Sequence, residues 1–382
     1  MQKMSAAETS TRANAAPVKI VASRSAVPRA KTSCAPEPWA LRIDRSSREF
    51  AEALAQWRRA AREAPPLLAP EWSLLTMRLL GGPESLIVGA RRAGSLVLAL
   101  PLARHGRTLR ALRSDHTPRV DVVGDATALP ELWSAMRGLD HWDALVLRGV
   151  PADSPLVTVV ADLARADGYE VRVREITRAP WFEVEGIESR IHRRFRGDMR
   201  RLERQLGGVE LERVGKFDRN ALRDLFRLEA AGWKGAARTA IASDPGLVAF
   251  YTTAARVFAH RGQLTLAFLR SRGKRVAACF ALEDRTTFHL LKIAYDPEFA
   301  HFGPGQLLVR ETAADAARRG LVRYDLLGQE SSYKMKWTDR VRPHVELVVY
   351  AASLRGRARF LANEIARPLA GRTLRALRST QV

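Results

Sequence analysis

From Trp39 onward, apolar residues recur in periods of two and of three to four, and these periods divide the chain into two similar runs. In the first run, residues 40–44 read as a strand, 48–62 as a helix with Phe50, Leu54 and Trp57 along one side, and 72–80 as a second helix. Residues 86–90 and 96–100 read as strands across a turn at Ala93 and Gly94. Strands at 120–123, 144–147 and 169–173 follow, with helices at 129–136 and 156–166. The second run begins with Ile191, Phe195, Met199, Leu202 and Leu206 at helical spacing on a segment otherwise crowded with arginine, which Gly207-Gly208 stops. It continues with a strand at 209–214, helices at 220–233 and 246–260, and a hairpin of 264–269 and 276–282 turning at Arg272-Gly273. A strand at 288–296, a helix and a strand at 322–327 complete it.

Both runs order their elements as strand, two helices, strand, glycine turn and strand, with the two turns about 180 residues apart, so one supersecondary plan occurs twice. The fold class expected is α/β (α+β), with sheets covered by helices. The copies differ in one respect. The first hairpin is followed by Ser114-Asp115-His116-Thr117-Pro118-Arg119, and the second strand region by Phe302-Gly303-Pro304-Gly305 at the start of a helix. A glycine loop entering a helix can aim N–H groups at an anion, here those of Gly303, Gly305, Gln306 and Leu307, while Pro304 fixes the turn. A phosphorylated cofactor is therefore expected in the second copy.

Composition adds a strong charge bias. Of 382 residues, 63 are basic and 41 acidic, a formal net charge of +22, and only nine of the basic residues are lysine. Such a balance favours polyanions through long-range attraction, or reflects solvated arginine-rich faces. The two cysteines, Cys34 in a polar leader and Cys279 in an apolar strand, suggest neither a disulfide nor a zinc site, and no metal is expected. No apolar run reaches the roughly 20 residues of a membrane span, so the expected location is cytoplasmic, with peripheral contact at the inner membrane as a further option.

Several motifs in the second copy carry a resemblance. Leu291-Lys292-Ile293-Ala294-Tyr295-Asp296, then Gly303-Pro304-Gly305-x-Leu307-Leu308, Tyr324-Asp325-x-x-Gly328 and Tyr333-Lys334-x-x-Trp337 are similar to the GNAT-superfamily acetyltransferases grouped with the cellulose-biosynthesis protein CelD. The duplicated plan resembles Fem-type double-GNAT proteins. The loop here reads His301-Phe302-Gly303-Pro304-Gly305-Gln306, where the GNAT pyrophosphate loop reads Gln/Arg-x-x-Gly-x-Gly/Ala. The resemblance implies two tandem GNAT-like domains, each a mixed, mainly antiparallel sheet flanked by helices: residues 39–185 without a cofactor loop, and 186–352 binding acyl-CoA. A disordered leader at 1–38 and a basic helical tail at 353–382 are expected to flank them.

The implied reaction is acyl transfer from acetyl-CoA or another acyl-CoA to an amine or hydroxyl. The acceptor would be a small molecule or saccharide, including a polysaccharide or cell-envelope precursor. Ile293, Ala294, Phe302, Gly303, Gly305, Gln306 and Leu307 become the candidate cofactor contacts, with an oxyanion-stabilising bulge expected at Ile293–Tyr295. Tyr333 takes the place of a GNAT tyrosine that protonates the leaving thiolate. Asp325, Glu330 and Tyr295 are further candidates for proton transfer, and Glu229 is a candidate base at the acceptor pocket. With Glu229, the residues Trp233, Lys234, Lys292, Lys334 and Lys336 are candidate substrate contacts. Two other readings stand beside this one. The first is a non-catalytic basic module on nucleic acid or on membrane, through the basic tail at 354–377; the second is a Fem-like aminoacyl transferase using charged tRNA along the arginine-rich helix.

Overall fold

The computed structural model describes residues 35–42, 48–80, 84–114, 116–232, 235 and 237–366. The leader before Ala35, the tail beyond Ala366, and the candidate contacts Trp233 and Lys234 lie outside the described residues. Among the described residues thirteen strands form one sheet. Those of the first copy are β1 (Glu37–Arg42), β2 (Glu84–Arg92), β3 (Ser95–His105), β4 (Thr108–Ala111), β5 (Val123–Gly124), β6 (Ala144–Pro151) and β7 (Glu170–Glu183). The second contributes β8 (Glu210–Val214), β9 (Leu264–Ser271), β10 (Lys274–Glu283), β11 (Thr287–Tyr295), β12 (Arg323–Asp325) and β13 (Val341–Tyr350).

Ten helices cover the described sheet: α1 (Arg48–Ala60), α2 (Pro70–Leu79), α3 (Leu129–Arg137), α4 (Pro155–Ala166), α5 (Ile187–Arg190), α6 (Arg193–Leu206), α7 (Arg219–Ala231), α8 (Pro245–His260), α9 (Pro304–Arg318) and α10 (Leu354–Phe360). Local chemistry sets several of their ends. Asp218 and Asp244 accept hydrogen bonds from the first free N–H groups of α7 and α8, Pro245 occupies the first position of α8, and Gly207 ends α6 in the left-handed region at φ 84°.

Strand order across the sheet is β1-β2-β3-β4-β6-β13-β7-β12-β11-β10-β9-β8, with β5 paired to β3 off this path. Neighbours are antiparallel except β4 with β6 and β11 with β12, one parallel pair in each copy. The duplicated plan is thus visible in the topology. It is not two closed units, because β13 lies between β6 and β7 of the first copy, and β7 then pairs through Trp181–Glu183 with β12 of the second. A helix is exchanged as well. Trp72 of α2 meets Phe250 and Phe258 of α8 edge-on, with ring centroids 5.0 and 5.9 Å apart, inside the core of the second copy.

Three expectations change, and two strands are added. β1 starts at Glu37, inside the expected leader; residues 120–123 form a strand only at Val123; β7 runs ten residues beyond its expected end; and β4 and β13 are strands outside every expected range. In the second copy, α7 and α8 cover one face of the sheet through Leu225, Phe250 and Phe280, and α6 and α9 cover the other through Met199, Leu308 and Cys279.

Candidate active site

The site begins where β11 loses its partner. β12 pairs with it in parallel over three residues only, Thr287 with Arg323, Phe288 with Tyr324 and His289 with Asp325. Leu327 and Gly328 then adopt φ values of 50° and 59° and lead the chain away. On its other side β11 stays paired with β10, but Phe280 faces Lys292 and Ala281 faces Leu290, so Leu291 is an extra residue. This is a β-bulge, which re-aims backbone groups and sharpens the local twist. It lies two residues before the stretch expected to carry it, because Lys292–Tyr295 run in regular register with Ala277–Phe280.

Behind the bulge is a small cavity lined by Leu290, Leu291, Lys292, Leu327, Gly328 and Lys334, with His116 and Pro118 from the first copy and Tyr251 from α8 on its other side. His116 Nδ1 and the Tyr251 hydroxyl are 2.9 Å apart. Lys292 Nζ lies 5.7 Å from the Tyr251 ring centroid. The segment that has no glycine loop in the first copy is therefore the wall of the cleft in the second. Neither His116 nor Tyr251 was singled out from the sequence, since only the fold brings residues 135 positions apart together.

β11 leads through Asp296, which caps a short turn of helix at Pro297–Phe302, to Gly303 at φ 59° and then α9. Three of the four expected anion donors are already used. Gly303 donates to Ala300, while Gln306 and Leu307 donate to the Gly303 carbonyl. The N–H of Gly305 has no backbone acceptor among the described residues. A Cβ there would lie 3.6 Å from Tyr295 Cδ1 and 3.9 Å from Ile293 Cδ1, so the loop packs against the end of β11. The Gln306 side chain ties the following segment down, donating from Nε2 to the Tyr333 carbonyl at 3.3 Å and accepting from Trp337 Nε1 at 2.5 Å. It is a fastener of this loop rather than a free ligand. Phe302 lies against His301 with the rings tilted by 42°, and Ala294 is buried on the α7/α8 face.

Tyr333 packs on the α6/α9 face, and its hydroxyl is buried without a hydrogen-bond partner. Burial, with Cys279 and Tyr295 nearby, raises its pKa far above the usual phenol value, so it stays protonated and neutral. Cys279 is a buried free thiol, pushed up to about 12 by burial. Lys334 Nζ donates to the carbonyls of Leu327 and Gln329, the latter at 2.9 Å, and burial lowers its pKa to about 8. Besides lining the cavity, it clamps the left-handed turn at Leu327-Gly328.

The expected proton-transfer candidates do not converge. Asp325 is buried, accepts from the Leu327 N–H at 2.9 Å, and pairs with Arg119 Nη2 at 3.2 Å. His289 lies between it and Asp284, with Nδ1 3.7 Å from Asp325 Oδ2 and Nε2 2.9 Å from Asp284 Oδ2. Burial opposes charge on Asp325, but His289 and Arg119 outweigh it and hold the carboxyl far below the usual range. An anion held so firmly takes up no proton near neutrality. Glu229 is also buried and accepts from the Ile241 N–H at 2.7 Å. Glu330 is exposed on the loop, Tyr295 is 43% exposed at the cleft mouth, and Lys336 lies 5.7 Å from the Phe195 ring centroid on the far side. Among the described residues no cluster of His, Cys, Asp and Glu could hold a metal, and no helix is long and apolar enough to cross a membrane.

Residues 189–335 match the family model described as an acetyltransferase (GNAT) domain. No curated protein matches the sequence. Among solved structures, FemX is similar with a TM-score of 0.57 and 12% identity, covering 85% of this chain and 100% of that one. A conserved protein of unknown function from Bacteroides thetaiotaomicron gives 0.52 and 13%, covering 78% and 97%. A tandem GNAT protein from the clavulanic acid biosynthesis pathway gives 0.44 and 15%, covering 83% and 100%. The second copy therefore carries a GNAT-type acetyltransferase domain, set in a chain whose overall fold is similar to that of FemX.

Proposed function

We propose that the protein transfers an acyl group, most simply acetyl, from acyl-CoA to an amine or hydroxyl of a small-molecule or saccharide acceptor, the polysaccharide and cell-envelope precursors implied by the CelD resemblance included. The observation that carries this reading is the parting of β12 from β11 beside the Leu291 bulge. It leaves the edge of β11 beyond His289 without a β12 partner, where its backbone donors can face the cavity. Two further features support the fit of a CoA thioester: the unpaired Gly305 N–H at the start of α9, which suits a phosphate, and the buried, unpartnered Tyr333 hydroxyl on the same face.

Acyl-CoA, as donor, supplies a thioester carbonyl. The N–H groups at the free edge of β11 polarise its oxygen. The acceptor enters from the α7/α8 face, its nucleophile bonds to the carbonyl carbon, and the C–S bond breaks. His116, reaching the cavity from the first copy, takes the acceptor's proton, and Tyr333 returns a proton to the departing thiolate from the other face. Asp325 fixes the geometry of the strand end and moves no proton. Peripheral membrane contact through the tail is part of the same proposal, and the exposed Leu354, Leu361 and Ile365 on a basic helical segment support it. The first test is thermal stabilisation by CoA and acetyl-CoA. A rise of several degrees that Gly305→Asp abolishes is expected, and no shift at saturating ligand would remove the basis of the proposal.

A further inference from the structure

The same face of the sheet holds a second, larger and open basin, one step back along β11 and β12 from the cavity. Its floor is His289, Asp325 and Arg323, and its walls bring Arg119 from the first copy, Arg285 from the turn before β11 and Arg342 from β13. The exposed Glu63 also lines the basin, and its other three carboxylates are already committed. Asp325 is held by Arg119 and the Leu327 N–H, Asp284 by His289 and the turn N–H groups, and Glu283 by Arg319 and Thr265.

The cations are not. Arg119 has only 8% of its side chain exposed and spends one Nη on Asp325, leaving a buried Nε without a partner. Arg323 has the same buried, unpartnered Nε, and its guanidinium lies 4.5 Å over the Trp181 ring. Neither Arg323 nor Arg342 forms a salt bridge among the described residues, in a molecule where most partly buried arginines do. Burial first, then the charges of Arg119 and Arg323, lowers the Arg342 pKa, and burial with Arg119 lowers that of His344, behind it on β13, to about 4. Like charges held close and partly desolvated cost free energy unless an anion sits among them.

We propose that this basin is an anion site in which Arg119, Arg323 and Arg342 bind the phosphate group of the acceptor. Guanidinium forks match the oxygens of a phosphate, and three of them with unspent donors define one position. The inference rests on the acyltransferase reading for what lies beyond the phosphate. A ligand anchored there extends past Asp325 and Leu327 to the cavity with His116, so its nucleophile arrives at the parted strands from the acceptor side. A phosphate held this way comes either from a soluble phosphorylated molecule or from a phospholipid headgroup.

The test pairs the wild type with Arg323→Gln/Arg342→Gln, leaving Arg119 in place because it also holds Asp325. Inorganic phosphate and pyrophosphate are titrated calorimetrically with and without saturating acetyl-CoA, since CoA carries phosphates of its own. Flotation with phosphatidylglycerol vesicles is measured in parallel. The proposal expects binding weakened at least about tenfold in the double variant, with acetyl-CoA stabilisation and the unfolding temperature retained or raised. Loss confined to the soluble anions assigns a soluble acceptor, and loss confined to vesicles a headgroup. Equal binding by both proteins in every arm overturns the site. Absence of acetyl-CoA binding with the arginine-dependent phosphate binding intact overturns the acyltransferase reading alone.

Discussion

Asp325 alternates with Tyr324 and Leu326 so as to face the cleft, as the strand period requires, yet its carboxylate is spent before any substrate arrives. With Arg119, His289 and Asp284 it forms a buried chain of alternating charge across the two copies. Removing one member strands the others, and breaking a buried pair in this way costs about 3–5 kcal/mol. Asp325→Asn should lower stability to urea by that order, and a loss below about 1 kcal/mol contradicts the network. Its pH dependence follows from the shifts. Burial opposes the charge of Asp284, but His289 holds the carboxyl down to about 2, so its contribution is present above the usual aspartate value of about 4 and is lost as pH falls through the folded value. Burial opposes the His289 cation, but Asp284 and Asp325 raise its pKa, so that contribution is complete below about 6.5 and is lost as pH rises through the raised value. The unfolding temperature of the wild type should therefore exceed that of His289→Gln most between about pH 4 and 6.5, and an unchanged gap at alkaline pH opposes this assignment. None of this was legible in the sequence, where Asp325 reads as a cleft carboxylate and its arginine partner lies 206 positions away.

At the scale of elements, the helices were legible because a core-facing stripe imposes its own period: Phe50 and Trp57 of α1 and Met199 and Leu206 of α6 are all buried. Strands were less so. β13 went unread because Arg342, Pro343 and His344 interrupt the alternation of Val345, Leu347 and Val349, and proline within a run argues against a central strand. Here β13 bends at that point, with its register shifting between His344 and Val345, and the Pro343 carbonyl still accepts from the Ala152 N–H at 2.9 Å. The glycine loop was legible as a motif, but only geometry shows which donors remain. Gly305→Asp tests that conclusion: a Cβ there meets Tyr295 and Ile293 only at ordinary distances, so the backbone should be retained while acetyl-CoA affinity falls at least about tenfold through repulsion between the carboxylate and the phosphates. Wild-type affinity in the variant, measured calorimetrically, places the phosphates elsewhere.

The whole molecule is a duplicated plan whose copies exchange parts. β13 pairs along its length with β6 and β7, and α2 fills the core under α8, so neither copy completes its own core. Truncation after Arg340 should leave no cooperative unfolding transition in either half, and a native-like circular dichroism melt from the shortened chain contradicts this coupling. The repeat could be read from the order of elements, whereas the exchange could not, since it depends on a strand the pattern conceals. The exchange has a functional consequence. It seats His116 and Arg119 of the first copy in the cleft of the second and sets Arg342 of β13 beside them, so the site depends on the joined sheet rather than on the GNAT-type domain alone. The measurement that bears most directly on this account is release of free thiol from acetyl-CoA with amine, hydroxyl and phosphorylated sugar acceptors, comparing wild type with Tyr333→Phe. Acceptor-dependent release that falls roughly 100-fold in the variant, with acetyl-CoA binding unchanged, is the predicted result. Release by neither protein with any acceptor, or equal release by both, contradicts it.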